Sequence, residues 1–302
     1  MSSGSAGNKS SRNRAAVKIE PYLYMLPALF ILGFIYLYPV VQVVHFSFLD
    51  LRSWPGEFIG LENFRIVLKD PRFYQSMLHN FELLLTIPVM VVIALIIAVL
   101  LHEEVWGWKF YRSLLLIPYV VPIVAIGIAM SHFFKLHGGL NQLLELIGLK
   151  SFQRQWLGHP TWSLFSVAVI IIWREIGFGT VLFLARLGSM PPEILEAARI
   201  DGAGWWRRLW RIVVPELTTV IEFFVIINII AMLSQIFPYV FVMTGGGPGY
   251  STWVSELYIY KQAFQFNKMG ASAVVAVVLL IVTITFIVLS FRFREKLGEQ
   301  YE

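Results

Sequence analysis

Cysteine is absent from the 302 residues, and charge is scarce. The first absence excludes disulfide scaffolds, cysteine-ligated zinc or iron–sulfur centres, and thiol nucleophiles. The second excludes a water-soluble fold. Asp, Glu, Lys and Arg make up 14% of the chain, against about 25% in soluble proteins, too few to cover the surface of a body this size. The six histidines supply no helical metal pair, because none stands three or four residues from another. A phosphate loop is missing too. The run Gly245-Gly246-Gly247-Pro248-Gly249 lacks the lysine of G-x-x-x-x-G-K-[ST] and reads as a turn. The chain is therefore expected to carry no nucleotide, metal or other cofactor of its own. The net charge of +5 is read as setting membrane orientation and not as binding nucleic acid.

What the chain has is apolar length: 57% of it is hydrophobic and its mean hydropathy is +0.69. Six segments reach the roughly 20 residues that a helix needs to cross a hydrocarbon core. They are Tyr22–Phe46, Met77–Leu101, Tyr111–Phe134, Trp162–Ala185, Thr218–Met243 and Ala271–Ser290. A membrane β-barrel would instead alternate over segments of about ten residues. The predicted fold is an all-α, polytopic membrane domain over residues 21–293. Residues 1–20, Ser/Gly-rich and basic, are expected to form a disordered tail that leads into a retained signal anchor, and residues 294–302 a second tail. With both tails in the cytoplasm, the larger share of the 24 Lys and Arg residues falls inside, as cytoplasmic loops require.

The loops assigned to the outside are patterned. LENFRIVL within 47–76, NQLLELIGL closed by Gly148 within 137–160, and WVSELYIYKQAF at 253–264 are all amphipathic. They suit either the outer membrane interface or a docking surface for a soluble partner. Glu82 and Glu222 sit near span ends and are read as snorkelling or paired charges.

Arg174 and Glu175 stand mid-span, where a charge costs at least ~2.5 kcal/mol and faces the bundle interior. Helix neighbours do not face each other, so each is expected to find a partner elsewhere. A structural interhelix ion pair and a pathway contact both fit. Asn228 and Gln235, seven apart, would share one helical face. Such amides can exchange hydrogen bonds with a polar pathway partner, and Tyr119 and Phe178, with Trp173 and Tyr239, would supply aromatic surface. Ordinary helix packing fits the same residues.

The cytoplasmic stretch 186–215, RLGSMPPEILEAARIDGAGWWRRLWRIVVP, is the most strongly patterned. Pro191-Pro192 opens a helix, and Glu193 and Glu196 favour its N-terminus. Ala197 and Ala198 keep the helix slim. Gly202 and Gly204 break it, Asp201 is expected to cap the helix that follows, and Pro215 opens span five. From the residues alone this is an amphipathic hairpin on the inner membrane surface.

The run EAARIDGAGWWRRLWRIVVP resembles the EAA signature of ABC-importer membrane subunits, with Glu196, Ala197, Ala198, Asp201, Gly202, Ala203, Ile212 and Pro215 in register. One position departs from the family pattern: Val214 stands where a leucine is common. PYLYMLPALFILGFIYLYPV, FIGLENFRIVLKDPRFYQSMLHN, RSLLLIPYVVPIVAIGI and MTGGGPGYSTWVSELYIYKQAF resemble other parts of the carbohydrate-uptake branch. The resemblance implies a six-span permease of the type I ABC importer fold in a prokaryotic inner membrane. It implies four kinds of partner: a second homologous permease, two cytoplasmic ATPases carrying ATP and Mg, an extracytoplasmic solute-binding protein, and the lipid membrane. It makes Glu196, Ala197, Ala198, Asp201, Gly202 and Ala203 the coupling surface toward the ATPase. The rival readings are a stand-alone transporter or channel, which would need no ATPase, and an intramembrane enzyme, for which no convergent acid–base, nucleophilic or metal set is visible.

Overall fold

The computed structural model describes residues 23–52 and 55–298. The expected tail at 1–20 and the residues from 299 onward lie outside the described residues. In chain order the helices are α1 Leu23–Phe46, α2 Glu62–Leu68, α3 Pro71–Leu84, α4 Thr86–His102, α5 Trp108–Val120, α6 Ile123–Phe133 and α7 Gly139–Leu146. They continue with α8 Pro160–Leu187, α9 Pro192–Ile200, α10 Trp205–Glu216 and α11 Thr218–Ser234. The last three are α12 Phe237–Met243, α13 Ser255–Tyr260 and α14 Met269–Gly298. A two-residue antiparallel pair, β1 Leu49–Asp50 and β2 Glu57–Phe58, closes the loop after α1.

Four helical stretches are long and apolar enough to cross a membrane: α1, the α3–α4 rod Pro71–His102, α8, and Met269–Arg292 of α14. The count reaches six when two bent pairs are each taken as one span: α5 with α6, bent 99°, and α10 with α11, bent 73°. Span three is therefore not one straight helix. Val121 is extended at ψ 136°, as a residue before proline prefers, and Pro122 has no N–H to continue the ladder. Span five does not run unbroken to Met243 either. It stops at Ser234, with Gln235 out of the helix at φ −135°, and Pro238 lies in the first turn of α12. Proline also explains the π-helical turns at Gly33–Leu37 and Leu209–Val213. Each precedes a proline, Pro39 or Pro215, whose ring would clash with the carbonyl four residues back.

The core lies between α4, α8, α11 and the 253–263 segment, with Met90, Ile171, Phe183, Phe224, Leu233 and Leu257 almost fully enclosed. Gly177 makes the approach of α5 to α8 possible, since a Cβ there would overlap the Leu115 carbonyl oxygen. No residue in the apolar window of α1 is buried. The 253–264 segment does not lie along a surface, as one reading had it. Trp253, Val254, Ser255, Leu257, Tyr258, Gln262 and Ala263 are buried, so α13 is a wedge driven into the bundle. The NQLLELIGL helix forms as expected, with Gly148 at φ +80° just past its end.

Candidate coupling and pathway sites

The 186–215 stretch folds as the expected helix–turn–helix. Pro192 opens α9 and Glu193 sits in its first turn. Gly202 turns the chain at φ +71°, a conformation in which a side chain is strained. Asp201 does not cap the following helix. It is the C-cap of α9, its own N–H bonding back to Ala197 and Arg199 carbonyls, and Gly204 precedes α10 with no side-chain cap. The α9 stripe is also split. Ala198 is buried against the chain's own body, while Glu196, Ala197, Asp201 and Gly202 are exposed and Ala203 is half-buried. The tip carries an apolar side chain that the motif reading passed over, Ile200, 86% exposed.

The hairpin is stitched to the end of α4 by one side chain. Glu103, the C-cap of α4, accepts from Arg208 Nη2 at 2.9 Å and from Trp205 Nε1 at 3.2 Å. Arg199 stands 3.8 Å from the same carboxylate. Arg186 makes a second link, to Glu216 at 3.3 Å. Sequence reading missed Glu103, although the Glu103-Glu104 pair directly after an apolar run was a visible signal.

At the opposite end of the α3–α4 rod, the wedge is held by buried polar groups. Asn80 donates to the Met232 carbonyl at 2.8 Å and to Glu256 Oε2 at 3.1 Å. Its own oxygen accepts from Ser255 N at 2.8 Å. Glu256 Oε1 takes the Ile236 N–H at 3.0 Å, a donor freed where span five breaks. The His79 ring meets the Trp253 carbonyl at 2.7 Å, and the Tyr258 hydroxyl donates to Asp70 at 2.9 Å. For Asp70, burial pushes the carboxyl pKa upward, but bonds from Arg72 and Tyr258 outweigh that and hold it below the usual carboxylate range. Burial first, and then the Asp70 carboxylate, push the Tyr258 hydroxyl up.

Four of the six pathway candidates come together where spans three and four cross. Arg174 and Glu175 do not find separate partners. They bond to each other at 2.5 Å, because long side chains can turn back across adjacent helix positions when both leave the lipid. Arg174 Nη2 also donates to the Tyr119 carbonyl at 3.0 Å, an acceptor left open by the break at Pro122. Its guanidinium lies 4.7 Å from the centre of the Tyr119 ring. That ring stacks on Phe178 at 4.8 Å and 13°. Asn228 and Gln235 do not join this group. Asn228 is fully buried and bonds back to the Phe224 carbonyl at 2.9 Å. Gln235 is non-helical, so the shared helical face does not exist. Trp173 is 43% exposed, and Tyr239 is buried beside Arg174. The prolines at 122 and 238 were the sequence signals for these breaks.

Apolar helices long enough to span a membrane, broken helices meeting around an Arg–Glu–Tyr–Phe cluster, and an exposed helical hairpin define a membrane transport protein. Irregular backbone at membrane depth is tolerated only where protein or a water-lined cavity covers it. Comparison with known proteins gives the family. Residues 67–296 match the family described as binding-protein-dependent transport system inner membrane component. The chain is 33% identical to a probable ABC transporter permease, YurN, of Bacillus subtilis, over 91% of its length and 96% of the relative's. It is 30% identical to the sn-glycerol-3-phosphate transport system permease UgpA of Pectobacterium atrosepticum, covering 91% and 94%. It is 33% identical to the sulfoquinovosyl glycerol transport system permease SmoG of Agrobacterium fabrum, covering 85% and 84%. A chain of the bacterial ABC transporter that imports the acidic polysaccharide alginate superposes with a TM-score of 0.78, at 22% identity, over 94% of this chain and 99% of that one. The protein belongs to this family: it is a multi-pass inner-membrane permease subunit of an ABC importer. The rival readings as a stand-alone transporter, a channel or an intramembrane enzyme fall with that assignment.

Proposed function

We propose that this chain forms half of the translocation pathway for a carbohydrate-like solute, with a second homologous permease supplying the other half. An extracytoplasmic binding protein delivers the solute, and two cytoplasmic ATPases holding ATP and Mg dock beneath. Residues 21–293 form the permease domain, and both termini face the cytoplasm. The carrying observation is the exposed tip of the α9 hairpin: Glu196, Ala197, Ile200, Asp201 and Gly202, an apolar knob beside small and acidic residues. The experiment is Gly202→Asp in the reconstituted importer. Solute uptake should fall at least about tenfold, by analogy with strained left-handed positions that cost ~1–3 kcal/mol, while the permease still inserts. Full uptake with the ATPase still bound would sink the docking role.

The central cluster supports a solute without a fixed charge. Arg174 is matched by Glu175, and the Tyr119–Phe178 stack offers a flat aromatic face for a sugar ring. Two of the named relatives, UgpA and SmoG, are named for transport of sn-glycerol-3-phosphate and sulfoquinovosyl glycerol, both anionic. Glu175→Gln would leave Arg174 uncompensated, so uptake of a neutral sugar should drop and competition by an anionic analogue should appear. Unchanged uptake and unchanged competition would place the selecting wall elsewhere. Sidedness is tested with single cysteines, since the chain has none. Ser189→Cys should label only from the cytoplasm and Gly249→Cys only from outside.

A further inference from the structure

Glu103 is placed where local helix physics disfavours it. It ends α4, followed at once by Glu104. Two acids at a helix C-terminus oppose the macrodipole, which favours cations there by about 0.3–1 kcal/mol each. Position alone therefore gives no reason for a carboxylate at 103. Its surroundings do. Both of its oxygens are engaged, Oε1 by Arg208 at 2.9 Å with Arg199 at 3.8 Å, and Oε2 by Trp205 at 3.2 Å. These partners come from both arms of the hairpin: Arg199 from α9, before the Gly202 turn, and Trp205 and Arg208 from α10, after it. No other acid is within ion-pair distance of Arg199 or Arg208 among the described residues. The packing beneath is apolar, with Val99, Leu187, Leu195, Leu209 and Val213 around the joint.

We propose that Glu103 is the positioning residue through which movement of the hairpin passes into the α3–α4 rod. This rests on the reading of the hairpin as the ATPase dock. Because one carboxylate binds both arms, the hairpin cannot shift as a unit without pulling the end of α4. Within the Pro71–His102 rod the shift then travels the roughly 23 residues from Glu103 to Asn80, about 35 Å at 1.5 Å per residue. There Asn80 and His79 grip the wedge and the break in span five. Charge-assisted bonds suit this joint. They hold direction through two oxygens, with the Glu103 side chain 24% and the Arg208 side chain 18% exposed. Trp205 and the two arginines thus do more than rest on the membrane surface.

The test uses the assembled importer with its native partners in proteoliposomes. ATP hydrolysed per solute imported is measured for Glu103→Ala, Arg208→Gln, Glu103→Arg, and the swap of Glu103→Arg with Arg208→Glu. Glu103→Ala should keep the ATPase bound and raise the ATP consumed per solute by about fivefold or more, within the range of mutations that alter coupling without touching ligand. Arg208→Gln should move the ratio in the same direction, less far, because Trp205 and Arg199 remain. The swap should bring the ratio back toward wild type where Glu103→Arg alone does not. An unchanged ratio in both Glu103→Ala and Arg208→Gln overturns the proposal. If Glu103→Ala fails to assemble, Arg208→Gln decides it, since a merely structural loss lowers ATP hydrolysis and uptake together and leaves their ratio unchanged. The docking reading fails separately: Ile200→Glu would then leave ATPase binding intact.

Discussion

The two ends of the Pro71–His102 rod are held in opposite ways. At the wedge end the clamp is neutral or hydrogen-bonded carboxylate chemistry in near-complete burial: Asn80 and Ser255 are fully enclosed and His79 is 7% exposed. At the hairpin end a single carboxylate, its side chain 24% exposed, meets arginines and an indole. A buried, fully satisfied network fixes one geometry, because leaving any member unpaired costs its whole desolvation. A partly buried ion pair holds the distance and direction between its partners while the segments that carry them move together. The wedge end is thus built to stay, and the hairpin end to be pushed.

The contrast can be broken in order of expected effect. Asn80→Leu should be the most damaging. It strips partners from the Met232 carbonyl, Ser255 N–H and Glu256 together, and each orphaned buried group costs about 1–3 kcal/mol. Thermal unfolding in detergent should show it, or folded protein should not be recovered. A stability equal to wild type would mean that water reaches the wedge. Asp70→Ala is next, at about 0.5–2 kcal/mol, because Asp70 caps α3 through the Arg72 N–H. Its pH signature is distinctive. The folded-state pKa lies below the usual carboxylate value, so its contribution is present above about pH 4 and fades as the pH falls through the lowered value. Wild-type stability should drop on acidification in that window, and Asp70→Asn should flatten the drop. The smallest stability change is expected at the hairpin end. Glu103→Gln should shift unfolding by about 1 kcal/mol, because the amide oxygen still accepts one of the two bonds, while disturbing the ATP-to-solute ratio. A large loss of stability there would erase the difference between the two ends.

Much of this was legible in the residues. Apolar length alone gave the spans, because a bilayer accepts little else. The glycine, alanine and proline spacing at 191–215 gave the hairpin and its turn, because those constraints are local: φ > 0 at Gly202, a slim face at Ala197, a first-turn proline at 192. Where reading by apolarity failed, proline had already marked the place. Pro122 and Pro238 break spans three and five, and a hydropathy window averages over both.

Other features depended on which chain segments meet. The sequence could place Arg174 beside Glu175 but not show that the pair closes on itself over the Tyr119 ring. It could space Asn228 seven residues from Gln235 but not show that the helix ends between them. The 253–264 pattern was amphipathic, and only packing decided whether its apolar face met lipid or protein. Glu103 has no local reason to be acidic, and its partners lie about a hundred positions further along the chain. By itself the sequence determined membrane solvation, helix formation and turn geometry, which act within a few residues. Only the tertiary structure decided the polar clamps, because a buried polar group is defined by the partner that satisfies it, and that partner is chosen by the fold.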